Sequence, residues 1–216
     1  MAQKKFQEPW VYISSFIFGT LLFILIFILF FQINYYRSSE LIREGVDNTN
    51  KIFEVAFSNK ISGEDLCSKE FSQEFNKAFY FHISKISDLE NALGKDDWRV
   101  LTQKKIYTLA QMQHYLITKE QIERCGLNKT ILLFFYNNSK EKIRESEILG
   151  EMISSLVRDK EEIQVYSIDG DLELELIKRL MKKFEINYTP SVFIEGKKPY
   201  SPKNIKELKD YLNKNE

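Results

Sequence analysis

The chain is poor in the residues on which much protein chemistry depends. Its 216 residues hold two cysteines and two histidines, too few for a zinc cage built from these alone. Lys plus Arg and Asp plus Glu are equal at 31 each, so no global field draws the chain toward nucleic acid. The four prolines and eight glycines are not gathered into a flexible tract, and no internal repeat is present, which excludes repeat architectures and long linkers. No Gly-rich phosphate loop and no metal-ligand spacing occurs. No cofactor and no metal are expected.

One stretch lacks charge altogether. Residues 10–33 read WVYISSFIFGTLLFILIFILFFQI, roughly 24 residues or about 36 Å of helix, against about 30 Å of bilayer hydrocarbon. Trp10 and Tyr12 at one end, and Tyr35 and Tyr36 at the other, stand where amphipathic rings favour the membrane interface. A core helix would not be bulky on every face, and the run ends in FFQINYYR rather than in the small residues of a cleavage site. The expectation is a short tail over 1–9 and a single transmembrane helix over 10–35. Lys4 and Lys5 nearly balance Arg37, Arg43 and Lys51, the latter diluted by Glu40 and Glu44, so charge leaves the orientation open.

Residues 36–65 carry a weaker helical stripe at Leu41, Val46, Thr49, Ile52, Phe53 and Ala56, interrupted by Gly45, and read as a helical stalk. Phe71, Phe75, Phe79, His82, Ile86, Leu89 and Leu93 step by three or four along one helix face. A break over residues 91–97 (NALGKDD) offers Asp96 or Asp97 as a cap. Trp98, Leu101, Ile106, Leu109, Met112 and Leu116 then form a second face. Two such faces imply an antiparallel hairpin over 66–127. His82 reads as a core residue, and His114 falls on a mostly polar face with no evident partner.

Folding that hairpin returns Cys67 and Cys125 to the same end. A structural disulfide is favoured over two separate buried thiols, and it implies that the soluble part faces an oxidising, extracytoplasmic space. The strands that follow should depend little on that closure.

From residue 128 the texture changes. TILLFFY (130–136) is an apolar run of strand length. A helix follows from about 140 to 158 with Ile143, Ile148, Met152, Leu156 and Val157 inward; then IQVYSI (163–168), and Asp169-Gly170-Asp171 as turn and cap of a helix carrying Leu172, Leu176, Leu180 and Met181. Strand 191–195, a turn at Gly196, a short strand near 198–200 and a last helix opened by Pro202 complete the order β-α-β-α-β-β-α.

Residues 128–216 resemble the thioredoxin fold. The residues that carry the likeness are LLFFY, VYSIDGD and Phe184-x-Ile186-x-x-Thr189-Pro190 followed by SVFIEGKK. The resemblance implies a cis Thr189–Pro190 bond and an open groove beside Thr189 that accepts an extended peptide. It also places Tyr136, Asn137, Asn138 and Ser139 where redox-active members open their first helix with Cys-x-x-Cys. No thiol stands there, and Asn and Ser read as helix caps.

The leading expectation is therefore a membrane-anchored, redox-inactive thioredoxin-like protein, not an enzyme, that binds a protein partner at the groove lined by Tyr136, Asn137, Asn138, Ser139, Thr189 and Pro190, with Val192 adding apolar surface. The alternative is a thiol–disulfide oxidoreductase using Cys67 and Cys125, with Arg124 as a nearby activator. A third reading is a structural subunit that uses the helical hairpin as its contact. Glu40/Glu44 and Glu173/Glu175 read as solvated charge. Three Asn-x-Ser/Thr triplets, at Asn128, Asn137 and Asn187, are short enough to arise by chance.

Overall fold

A computed structural model of the chain describes residues 8–62, 66–158, 160 and 162–213. Helix α1 (Glu8–Ser62) is continuous over 55 residues, so the apolar run and the stalk are one rod. Residues 9–37 are exposed throughout, and the helix is long and apolar enough to cross a membrane. Beyond that point the rod is packed. Ser38, Thr49 and Ile52 are buried, and Gly45 with them.

The partners of this buried stripe are α2 (Lys69–Leu93) and α3 (Trp98–Cys125). The break between them is built as expected. Gly94, at φ 90°, ends α2, and the Asp97 carboxylate accepts from the Arg99 N–H at 2.9 Å to open α3. The Arg99 guanidinium pulls the Asp97 carboxyl down to about 2. At the other end Ser68 caps α2, and Gly126 in the left-handed region (φ 67°) closes α3. Residues 38–62 are thus the third helix of a bundle rather than a free stalk.

On α2 the expected face is the buried one at Phe71, Phe75, Phe79 and Leu89. On α3 it is not. Trp98, Leu109 and Leu116 are exposed by 72%, 43% and 57%, while Val100, Ala110, Met112 and Ile117 are buried beside Gln103, Lys104, Thr108, Gln111, His114, Thr118 and Gln121. The reason is that α3 is the central layer, with the other helices on one side and the sheet on the other. Its inward positions are largely polar groups with specific partners, which an apolar period cannot reveal.

The sheet has three strands, β1 (Thr130–Tyr136), β2 (Ile163–Asp169) and β3 (Ser191–Ile194), in the order β2-β1-β3. β1 and β2 are parallel and β3 is antiparallel to β1. The fold is therefore mixed α/β with a mixed sheet. The expected fourth strand is reduced to one bridge, in which Val192 and Tyr200 exchange N–H···O bonds of 2.8 and 2.9 Å. Pro199 has no N–H to extend it, and the carbonyls of Lys198 and Pro199 accept instead from the hydroxyls of Tyr211 and Tyr188. The Thr189–Pro190 bond is cis.

The connecting helices differ in detail from expectation. α4 (Ile143–Val157) buries Ser146, Leu149, Ile153 and Leu156 and leaves Ile148 exposed. α5 (Glu175–Lys183) starts after Leu172, which is buried ahead of it, and has no side-chain cap. α6 (Ile205–Asn213) begins beyond Pro202; its first turn is closed by Asn204, which accepts from the Glu207 N–H, while Glu207 accepts from the Lys203 N–H. The side chains of Leu41, Ala56 and His82, and the residues Lys4 and Lys5, fall outside the described residues.

One core joins the helices to the sheet. Phe71, Phe75, Phe79, Met112 and Tyr115 cluster with Leu133, Phe135, Tyr166 and Ile168. His114, expected to lack a partner, lies at this junction at 1% exposure. Its ring stacks on Phe75 and Phe79 at 4.7 and 4.1 Å. Nε2 faces the Asn76 Oδ1 at 3.0 Å and so carries the proton; Nδ1, 2.8 Å from the Tyr166 hydroxyl and 3.3 Å from that of Thr118, accepts a hydrogen bond from this hydroxyl pair. Burial, with a smaller contribution from Lys129, depresses this imidazole to about 3.

The sign of the consequence follows. A histidine held neutral in the fold contributes stability that is present above its unfolded value near 6.5 and is lost as pH falls toward the folded value. Between pH 7.5 and 4.5 the loss from this group should be about 2–3 kcal/mol, at 1.36 kcal/mol per pH unit. The difference in unfolding free energy from urea titrations at those pH values should be smaller by that amount in His114→Phe. An unchanged pH dependence in the variant would remove His114 from the account.

Candidate functional site

The β1-α4-β2 connection brings the C-terminal ends of β1 and β2 to one edge of the sheet, because the two strands are parallel and in register, with Tyr136 opposite Asp169. β3 enters the same edge from the antiparallel direction, with Ser191 opposite Phe135. The expected groove residues therefore do converge: Tyr136 half-buried, Asn137 and Asn138 half-buried, Ser139 exposed, Thr189 half-buried and Pro190 buried.

Gly170 is where these segments meet. Its N–H donates to the Tyr136 carbonyl at 2.8 Å. A Cβ there would lie 3.1 Å from that carbonyl oxygen and 3.3 Å from the Thr189 Cγ2, a spacing that leaves no room for a larger residue without displacement. Thr189 itself makes no backbone hydrogen bond among the described residues. Val192 is fully buried and adds no surface to the groove.

The segment that follows β1 is occupied, though not as its caps alone would suggest. The Asp171 carboxylate reaches across from the β2 side and accepts from the N–H groups of Asn138 (2.8 Å) and Ser139 (3.2 Å), and from the Asn137 carboxamide (2.6 Å). Asp171 was expected to cap the helix after it; it binds instead the free amides of the segment before α4. Asn137 Oδ1 accepts from the Ser139 N–H at 2.7 Å, and the Ser139 carbonyl receives Lys142 and Ile143. The three backbone N–H groups and both carboxamide nitrogens of Asn137-Asn138-Ser139 thus donate within the structure.

Beneath this lies a buried ion network that the sequence did not disclose. Lys104 of α3, with 7% of its side chain exposed, stands 2.6 Å from Glu90 and 3.7 Å from Asp169. Asp169 also accepts from the Asn138 carboxamide at 2.6 Å and from the Asp171 N–H at 3.1 Å. Burial raises the Asp169 carboxyl above its ordinary value, and the Lys104 ammonium opposes that rise. Burial likewise pushes the Tyr136 hydroxyl far up, so it stays neutral. Outside the network a cleft of about 310 Å³ opens between α3 and the sheet edge, lined by Lys95, Leu101, Lys104, Asn138, Asp169 and Asp171 among others.

The cysteines lie elsewhere. Cys67 and Cys125 are at disulfide-bonding distance, with Cα atoms 5.4 Å apart, at the end of the hairpin opposite to the 94–97 turn. The Gln121 carboxamide ties that end by donating to the Leu66 carbonyl and the Ser72 hydroxyl, both at 2.9 Å. Cys67 is exposed and Cys125 half-buried. Among the described residues no group of three His, Cys, Asp or Glu side chains is placed to hold a metal ion.

The sheet edge thus presents an open backbone segment at Thr189 and a polar cleft, but no thiol and no acid–base pair outside the structural network. Comparison of the chain with protein-family models, with curated proteins and with solved structures gives no match.

Proposed function

We propose that the chain is a membrane-anchored, redox-inactive thioredoxin-like protein whose sheet edge binds an extended segment of a protein partner, with the soluble part on the extracytoplasmic side. The β-α-β unit followed by an antiparallel strand, with a Thr-Pro at its entry, supports the fold reading. The disulfide-bonded cysteines support the compartment. The observation that carries the binding function is Thr189: its backbone groups are without a backbone partner among the described residues, and an unpaired edge accepts an extended chain. The absence of a thiol over residues 137–139, with the N–H groups of Asn138 and Ser139 taken by Asp171 and that of Asn137 by the Ser146 hydroxyl, supports the loss of redox chemistry.

The exposure of Cys67 favours the oxidoreductase reading as the second choice. Cys125 weighs against it, because it is the last residue of α3, where the helix dipole disfavours a thiolate. Two measurements separate the readings. A photocrosslinking residue in place of Thr189, in the full chain and its native membrane, should give a discrete protein adduct that the same residue at exposed Lys209 does not. No adduct at 189, or the same adducts from both positions, would remove the groove as the binding site. Insulin reduction should stay at background; activity that is lost in the Cys67→Ser/Cys125→Ser variant would establish the oxidoreductase.

A further inference from the structure

Two contacts between α3 and α1 fix where the soluble part stands relative to the apolar run. The Arg99 guanidinium donates to the Ser38 hydroxyl at 3.2 Å, and the Gln103 carboxamide donates to the Ile42 carbonyl at 3.4 Å. Both pairs are separated by 61 residues. A constant offset means that the two helices run side by side in the same direction, so Trp98 stands level with Arg37, and the turn at 94–97 precedes it on the side of the apolar run. That is where the apolar run ends and where Tyr35 and Tyr36 are exposed by 66% and 73%. The headgroup layer extends about 5–7 Å beyond the hydrocarbon, or about four residues of helix.

Trp98 is 72% exposed although it opens a helix whose neighbouring positions are packed. Its ring makes no aromatic contact among the described residues and lies exposed at the level of Arg37. Lys95, in the same turn, is 45% exposed and pairs only at 3.8 Å with Glu147. Lys95 and Arg99 are offset by Asp96 and Asp97, so the turn carries no net charge to attract or repel an anionic surface.

We infer that the turn over residues 94–97 and Trp98 seat on the headgroup layer of the membrane that α1 crosses, with Trp98 as a second interfacial anchor. The occupant is a phospholipid interface, recognised by an amphipathic ring rather than by charge. The inference rests on the membrane-anchored reading of α1. It gives the rod two attachment points, which fixes its tilt and rotation. It also sets the cleft against the bilayer, since Lys95 and Asp96 line its mouth; a partner that enters the cleft comes from along the membrane surface.

The chain has two tryptophans, which makes the test direct. Full-length Trp10→Phe is reconstituted into phosphatidylcholine vesicles whose acyl chains are brominated close to the headgroup, and its Trp98 emission is compared with that in unbrominated vesicles. The expected result is a loss of about twofold, as for an interfacial ring, unaffected by salt. Trp98→Phe reports Trp10 in the same way and tests the anchor. Leu109→Trp in a Trp10→Phe/Trp98→Phe background sets the depth, because exposed Leu109 stands about 16 Å further along α3 and should not be quenched. Quenching at Trp10 but not at Trp98 would overturn the inference and leave the anchor standing. No quenching at either would overturn both. Quenching at position 109 as well as at Trp98 would mean that the soluble part lies along the surface, which also overturns it.

Discussion

Lys104→Ala is expected to destabilise the chain by about 3 kcal/mol at neutral pH, the cost of removing one partner from a buried ion pair. The lower end of the range applies because Glu90 keeps 24% of its side chain exposed and can be rehydrated, whereas Asp169, at 7%, cannot. The loss should shrink at pH 5. Burial already holds the Asp169 carboxyl above its ordinary value, so the folded state binds this proton more tightly than the unfolded chain, and stability falls as pH rises through that window. Without the Lys104 ammonium the folded value rises further, and acid relieves more of the penalty. Urea unfolding in detergent at pH 7.5 and 5, followed by far-UV circular dichroism, measures both effects. Asp169→Asn added to Lys104→Ala should recover part of the loss, since it removes the orphaned charge. A loss below about 1 kcal/mol that is the same at both pH values would show that the network is solvated.

Replacing both cysteines by serine should cost about 4 kcal/mol, because Cys67 and Cys125 are separated by 58 residues and their closure removes that much chain entropy from the unfolded state. The loss should reach the sheet. Phe71 and Phe75 of the tied helix share one core with Phe135, Tyr166 and Ile168, so the hairpin and the strands should unfold together in a single transition. This differs from the expectation that the strands depend little on the closure. Calorimetry of the variant should show one lowered transition; two separated ones would restore the independence of the parts. Peptide mapping without reductant, after alkylation at lysis, should recover the two cysteine peptides linked.

The sequence by itself determined what depends on local chemistry. The uncharged run over 10–33 set a helix long and apolar enough to cross a membrane, with bulky apolar groups on every side. The Phe71–Phe75–Phe79 stripe, the Gly94 and Asp97 break, the meeting of the cysteines, and the strands at 130–136 and 163–168 all followed from periodicity, capping and continuous apolarity. Tertiary structure decided the rest, and the reason is the same each time: burial by polar partners leaves no period. The interior of α3 is held by Gln103, His114, Thr118 and Gln121, whose partners on other elements lie between 38 and 61 residues away along the chain, and by Lys104, which pairs with Glu90 of α2 and Asp169 of β2. The same cause exposed Trp98, Leu109 and Leu116 when they were expected inside. Asp171 was read as a cap for the residues after it because sequence distance favours the near amide; the sheet brings residues 138 and 139 closer. Pro199 reduced the last strand to a single bridge by lacking one donor. Above all, that α1, α2 and α3 pack on the sheet through one core, with the site edge on the side where the apolar run ends, is a matter of how faces meet in space, which no single stretch of this chain encodes.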